Sequence, residues 1–402
     1  MIDFIEYVVS ELRSKRLSKT DAIALVRQFS HRPVGPAGAV IHPLLHRNAS
    51  DLGGQRYEST FTGDEFFLAD HQVAAQKVLP GVAYLEMVRA AIDQAWPERP
   101  GSTILELRNT VWPHPIVVDG KKDVSLALAA TDGGGIDYEI YSEDEEGETI
   151  HCQGRAVWSG QPAPAMLDLE QLEREMAQGE VEPGSLYAAS AAMGVSYGAA
   201  FQGITSLRKG SGQALARLRL PRVVESTSGE YVLHPSLLDA ALQASLGLFD
   251  DWAELANEPR LPFALDSLRI VGPCVPEMVA WVRYSPGSRA SDKLVKVDVD
   301  LCDERGNVRV QMRGFSWRTL KKESGTAIAA PAQEAEPPVT GSLAEKTQEY
   351  LRKQLAGVLR LPAHELDPRA ALENYGIDSI VAMKLTTQLE KTFGSLSKTL
   401  FY

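Results

Sequence analysis

Cysteine is scarce in this 402-residue chain. The three present, Cys152, Cys274 and Cys302, are odd in number and far apart. They supply neither a disulfide framework nor a zinc cluster, and they suit a reducing cytosol. Basic residues are outnumbered, 41 Lys and Arg against 53 Asp and Glu, for a net charge of −12. A nucleic-acid partner requires a basic surface to neutralise phosphates, and no basic run interleaved with aromatics offsets the deficit. No apolar run is long enough to span a bilayer. No secretory leader is expected at the start given: MIDFIEYVVSELRSK carries Asp3, Glu6 and Glu11, whereas a signal starts basic and keeps an uncharged core. The expectation is a cytoplasmic protein with no nucleic-acid partner and no membrane span. What is there is globular material, 44% hydrophobic, in a chain long enough for two or three domains.

Four stretches differ in pattern. Residues 1–34 read as two short helices, with Ile5, Val8, Val9 and Leu12 on one face and Ala22, Leu25, Val26 and Phe29 on another. Helices this short do not bury both faces alone, so they are expected to dock on a partner. Residues 40–322 form a large middle domain, 323–342 an Ala/Pro/Glu/Thr linker, and 343–402 a small helical unit that stops abruptly.

The middle domain repeats itself. Asp144-Glu-Glu-Gly147 leads to Trp158, and Asp303-Glu-Arg-Gly306 leads to Trp317 with the same spacing. The alternations Ile136, Tyr138, Ile140 and Val295, Val297, Val299 precede them in the same register, as half-buried strands entering hairpin turns. On the helical side, Leu79-Pro-Gly-Val-Ala-Tyr-Leu-Glu86 and His234-Pro-Ser-Leu-Leu-Asp239 each place Pro ahead of an apolar helix, at the first helical position. The expected fold is a duplicated α+β unit, each helix wrapped by a sheet.

Asp70-His-Gln-Val-Ala-Ala-Gln-Lys-Val-Leu-Pro-Gly81 is the strongest local signal. A lone His beside apolar residues is usually structural, but this segment resembles the HxxxGxxxxP signature of polyketide synthase dehydratases, with His71 and Pro80 in place. Asp239 and Gln243 match the family's DxxxQ signature, Tyr197-Gly-Ala-Ala-Phe-Gln-Gly203 its YGxxFQG element, and Leu261-Pro-Phe a later one. The resemblance covers roughly residues 42–320 and implies a double hot dog fold. It also implies removal of water from a β-hydroxyacyl thioester, probed chemically as follows. The α-proton is weakly acidic and hydroxide leaves poorly, so a base and an acid are both required. His71 is the candidate base. Asp239 is the candidate acid if burial among Leu237, Leu238, Ala240, Ala241 and Leu242 raises its pKa. Gln243, four residues on, orients the carboxyl. A backbone N–H at Pro80-Gly81 polarises the thioester carbonyl, and by resemblance Tyr197 lines the pocket.

The family's glycine is Ala75 here. If that position needs positive φ, alanine costs about 1 kcal/mol; if the glycine only leaves room, the methyl narrows the pocket. Retention of His71, Pro80 and Asp239 argues against double-bond-shifting and silent relatives. The alternatives are an isomerase or oxa-cyclising variant, and a non-catalytic scaffold that binds acyl carrier.

Tyr375-Gly-Ile-Asp-Ser-Ile380 resembles the phosphopantetheine attachment motif of acyl carrier proteins. Ser379, at a helix start that suits a phosphate, would carry the arm. The carrier is expected to be incomplete, lacking a last helix. Glu11 to Asp21 resembles connectors in synthases that recruit their acyltransferase separately. With Met1 as a natural start, the upstream ketosynthase is expected on another polypeptide, docked through these helices within a homodimeric assembly. No metal and no nucleotide is expected. Gly194-Val-Ser196-Tyr-Gly198 fits GxSxG, yet a helical stretch precedes it where a nucleophile elbow needs a strand. His42 and His46 make no metal pair, because Pro43 spoils the helix and no third ligand is evident. Gly133-Gly134-Gly135 is a turn between strands.

Overall fold

The computed structural model describes residues 40–319, except 52–53, 97–102, 132–133, 145–146, 250–251, 253–259, 291 and 293. The chain divides into two units, Met1–Lys321 and Lys322–Tyr402, and the described residues belong to the first. The N-terminal helices, the linker, the carrier segment and Ser379 lie outside the described residues.

The elements run in two matching series. The first is β1 (Arg47–Asn48), β2 (Gln55–Phe61), α1 (Phe66–Ala69), β3 (His71–Val73), β4 (Gln76–Lys77), α2 (Gly81–Ala95), β5 (Ile104–Val111), β6 (Lys122–Ala130), β7 (Ile136–Asp144) and β8 (Gly147–Ser159). A connector follows, with α3 (Leu169–Glu175), β9 (Gly179–Val181), α4 (Pro183–Ala192) and β10 (Val195–Tyr197). The second series is β11 (Ile204–Gly210), β12 (Gln213–Arg219), α5 (Pro235–Gln243), β13 (Arg260–Ile270), β14 (Glu277–Tyr284), β15 (Lys296–Asp303) and β16 (Val308–Thr319).

Strand order makes the duplication explicit. The first half runs β2-β6-β7-β8-β5 and the second, read from the far edge, β12-β14-β15-β16-β13. The repeated acidic-glycine stretches are the β7–β8 and β15–β16 hairpin turns, where Gly147 and Gly306 hold φ of 127° and 86°. The sheets expected around the two helices are continuous with one another. β5 and β13 pair antiparallel from Ala264↔Val111 to Ile270↔Leu105, so the two half-sheets form a single 13-stranded sheet. Two edges that would each present unpaired N–H and C=O groups satisfy one another at this seam. The core follows the seam: Leu107, Leu265 and Leu268 join one apolar cluster with both helices.

The helices are apolar because they are enclosed. Every residue of α2 from Val82 to Ile92 is buried, as is every residue of α5 from Pro235 to Ala241. Pro235 occupies the first helical position as expected. Pro80 does not; it is the N-cap, in extended conformation (φ −57°, ψ 139°), and Gly81 begins the helix. Among the described residues no helix is long and apolar enough to cross a membrane.

Candidate active site

His71 begins β3, and β3 is held by neighbours on both sides. It pairs with β4 through Gln72↔Lys77 and Val73↔Gln76, and with β10 through Tyr197↔His71. The β3–β4 link is the two-residue loop Ala74-Ala75, with φ of 49° and 64°. Positive φ at both central residues is the pattern of a type I′ hairpin, which favours Asn-Gly. The glycine of the family pattern is therefore a backbone requirement at position 75. Ala75 is exposed and does not line the cavity, so its methyl narrows no pocket. Ala75→Gly is expected to raise stability by about 1 kcal/mol, because the Cβ–carbonyl crowding of left-handed alanine disappears. Urea denaturation measures this; an unchanged or lower midpoint would sink the account.

The hairpin folds His71 back on its own segment. Its Nδ1 donates to the Val78 carbonyl at 2.7 Å. A carbonyl only accepts, so Nδ1 carries the proton and Nε2 of the neutral ring keeps a free lone pair. The ring packs edge-on against Tyr197, centroids 5.7 Å apart, and against Phe201 at 5.5 Å.

Asp239 comes from the other half, in the middle of α5. His71 and Asp239 are each 7% exposed, and both line one open cavity of about 130 Å³. Burial pushes the Asp239 carboxyl above its ordinary pKa, and the nearby His71 and the Gln243 amide offset part of that rise. Gln243, one turn on, donates from Nε2 to Asp239 Oδ2 at 2.8 Å and to the Phe201 carbonyl at 3.1 Å. The Phe201 carbonyl fixes which way the amide points.

Gly81 lines the same cavity, and as the first residue of α2 its N–H has no intrahelical acceptor. A Cβ on Gly81 would stand 2.5 Å from Pro262 Cγ, so the Pro-Gly and Leu261-Pro-Phe segments interlock only with glycine there. Tyr197 lines the cavity, and burial raises its phenol pKa well above normal, with Asp239 adding to the effect. Pro80 caps α2 and does not line the cavity. The walls are otherwise largely apolar, including Val73, Leu79, Trp112, Phe315 and Trp317. His114, Arg260 and Arg318 also line it. Sequence inspection passes over them because they sit in three different segments with no local pattern.

The arrangement is reciprocal between the halves. Asp239 on the second helix meets the segment that leads into the first. Glu86 on the first helix meets the segment that leads into the second, accepting the N–H groups of Val232 and Leu233 at 2.9 Å each. There the space is filled: Arg89 donates to Glu86 at 2.7 and 3.0 Å, and His42 Nε2 at 3.2 Å. His42 is thus a buried donor to a carboxylate, and His46 bonds the Pro43 carbonyl. Ser196 of the GxSxG string is exposed in β10, which follows α4.

Comparison with known proteins follows the same division. Residues 42–143 match the family model described as polyketide synthase dehydratase domain. Residues 165–327 match polyketide synthase dehydratase N-terminal domain, and 349–402 match phosphopantetheine attachment site. Polyketide synthase PksM of Bacillus subtilis (strain 168) is 41% identical over 292 residues, 71% of this chain but 7% of that protein's length. A crystal structure of a trans-AT polyketide synthase dehydratase domain from Brevibacillus brevis has 44% identity and a TM-score of 0.66, covering 70% of this chain and all (100%) of its own. The CurK dehydratase of curacin polyketide synthase, solved as a His-to-Phe and an Asp-to-Asn variant each described as inactive, is 25% identical. Those two structures have TM-scores of 0.63 and 0.62, cover 70% of this chain, and are covered over 100% and 99% of their own.

Proposed function

On the premise that this chain belongs to the polyketide synthase dehydratases, a family of hydro-lyases, we propose that His71 and Asp239 are its catalytic pair. The substrate is a β-hydroxyacyl thioester and the product the α,β-unsaturated thioester plus water. Nε2 of His71 takes the α-proton. Protonated Asp239 gives its proton to the departing β-hydroxyl, and Gln243 holds that carboxyl in place. The Gly81 N–H donates to the thioester carbonyl as enolate charge develops. Tyr197, its phenol kept neutral by burial, packs against the base. One observation carries this reading: a histidine with its Nε2 lone pair free and an acid raised by burial line one largely apolar cavity. That pairing offers one proton donor and one proton acceptor. The inactive histidine and aspartate variants of CurK dehydratase support it.

The thioester is delivered on a phosphopantetheine arm, which we assign to Ser379 within the matched segment 349–402. We further place the chain in a trans-AT synthase, as a cytoplasmic homodimer with an upstream ketosynthase polypeptide docked by residues 1–34 and acyl carrier domains as partners. We assign residues 40–322 to the dehydratase and 343–402 to the carrier. Mass spectrometry of a β-hydroxyacyl carrier protein incubated with the chain tests the activity. Loss of one water is expected. An unchanged mass for both hydroxyl epimers would refute dehydration.

A further inference from the structure

We propose that Asp70 is a positioning residue, which sets where His71 stands relative to Asp239 by clamping the turn between them. The inference rests on the catalytic pair assigned above. Asp70 does not line the cavity.

Three contacts make the clamp. The Asp70 carbonyl accepts the Gly198 N–H at 2.8 Å. Its carboxylate Oδ2 accepts the Ala200 N–H at 2.7 Å. The Gly198 Cα faces the carboxyl so closely that a Cβ there would stand 2.3 Å from Asp70 Cγ. Gly198 has φ of −75°, which any residue adopts, so close approach and not backbone conformation demands glycine.

The clamped turn, Ala199–Phe201, reaches both catalytic groups. At its start, Tyr197 pairs with His71 across the strands. At its end, the Phe201 ring packs on the His71 ring, while the Phe201 carbonyl anchors the Gln243 amide that bonds Asp239. His71 follows Asp70 directly in the chain. The base and the acid come from different halves of the fold, and this turn is in direct contact with both sides. A carboxylate accepting a backbone N–H is a charge-assisted bond, stronger than a neutral one.

The test uses the full chain with a β-hydroxyacyl carrier protein. Asp70→Ala is expected to lower kcat about 100-fold with KM within about twofold, the effect of a misplaced reacting group. Asp70→Asn retains an acceptor for the Ala200 N–H and is expected to stay within about fivefold of the parent. Gly198→Ala is expected to impair kcat in the parent and to add less in the Asp70→Ala background, where the carboxyl is removed and only the 2.8 Å approach to the residue-70 Cβ remains. Effects that multiply, or an asparagine no better than alanine, would overturn the proposal. So would full activity of Asp70→Ala. A second arm needs no turnover: carbon NMR titration of the Asp239 carboxyl. With the Gln243 anchor displaced, Asp70→Ala is expected to move that titration to higher pH, and an unmoved titration counts against the clamp. Absence of dehydration by the parent would sink the catalytic assignment alone, since the titration still decides the role of Asp70.

Discussion

Asp239→Asn is expected to lower kcat for dehydration by roughly 1,000-fold, the scale of losing a positioned general acid, while leaving the folded protein at least as stable as the parent at neutral pH. The two halves of this result have one cause. The carboxyl is 7% exposed, and burial raises its pKa. A raised acid pKa means that the folded state binds the proton more tightly than the unfolded chain. The group's contribution to stability is then fully present below the unfolded value of about 3.9 and is lost as pH rises through the folded value. At neutral pH the parent therefore carries a cost at this position, which asparagine removes. Asparagine also keeps an oxygen to accept the Gln243 Nε2 bond of 2.8 Å. Steady-state kinetics and thermal melts at pH 7 check both. A variant that loses stability along with activity would mark Asp239 as a structural carboxylate.

Glu86→Gln should behave in the opposite way, losing about 3–5 kcal/mol of stability, the usual cost of breaking a buried charge pair. Glu86 is fully buried (0% exposed) yet surrounded by donors: Arg89, His42 and the backbone N–H groups of Val232 and Leu233. Burial alone would raise its pKa, but the His42 and Arg89 contacts outweigh it and hold the carboxyl below its ordinary value. A depressed acid pKa contributes stability that is present above the unfolded value of about 4.3 and lost as pH falls through the folded one. A glutamine turns an amide NH₂ toward those donors, leaving at least one of them unpaired. Urea denaturation from pH 7 down to pH 3 is the measurement. The parent should weaken steeply toward acid, and the variant should start weaker with a flatter profile. Equal stability at pH 7 would refute the account.

Sequence and structure share the site unevenly. His71, Asp239 and Gln243 were singled out through their resemblance to the family's HxxxGxxxxP and DxxxQ strings, since a lone His is usually structural; spacing added that Gln243 is one helical turn from Asp239, and the structure joins them directly. The β-hairpins were legible because Asp144–Gly147 and Asp303–Gly306 combine turn residues with alternating strands. Ala75 was legible as a departure but not in its meaning. Only the observed φ of 64° and its exposure separate a backbone requirement from a steric one. Asp70 and Glu86 were passed over. Their partners lie about 130 and 146 residues away, at Ala200 and Val232, and no periodicity reports such a distance.

By itself, then, the sequence determined the duplicated α+β plan and the carrier motif, because each is written in short-range pattern, and its match to the family strings named the proposed acid and base. Tertiary structure alone decided that the two half-sheets fuse at β5 and β13, since any two strands of suitable face could pair. It alone decided which of the two helix-borne acids faces a cavity. Asp239 and Glu86 are both buried carboxylates in apolar helices. What differs is whether distant residues leave the space before them open, as at His71, or fill it, as Arg89 and His42 do.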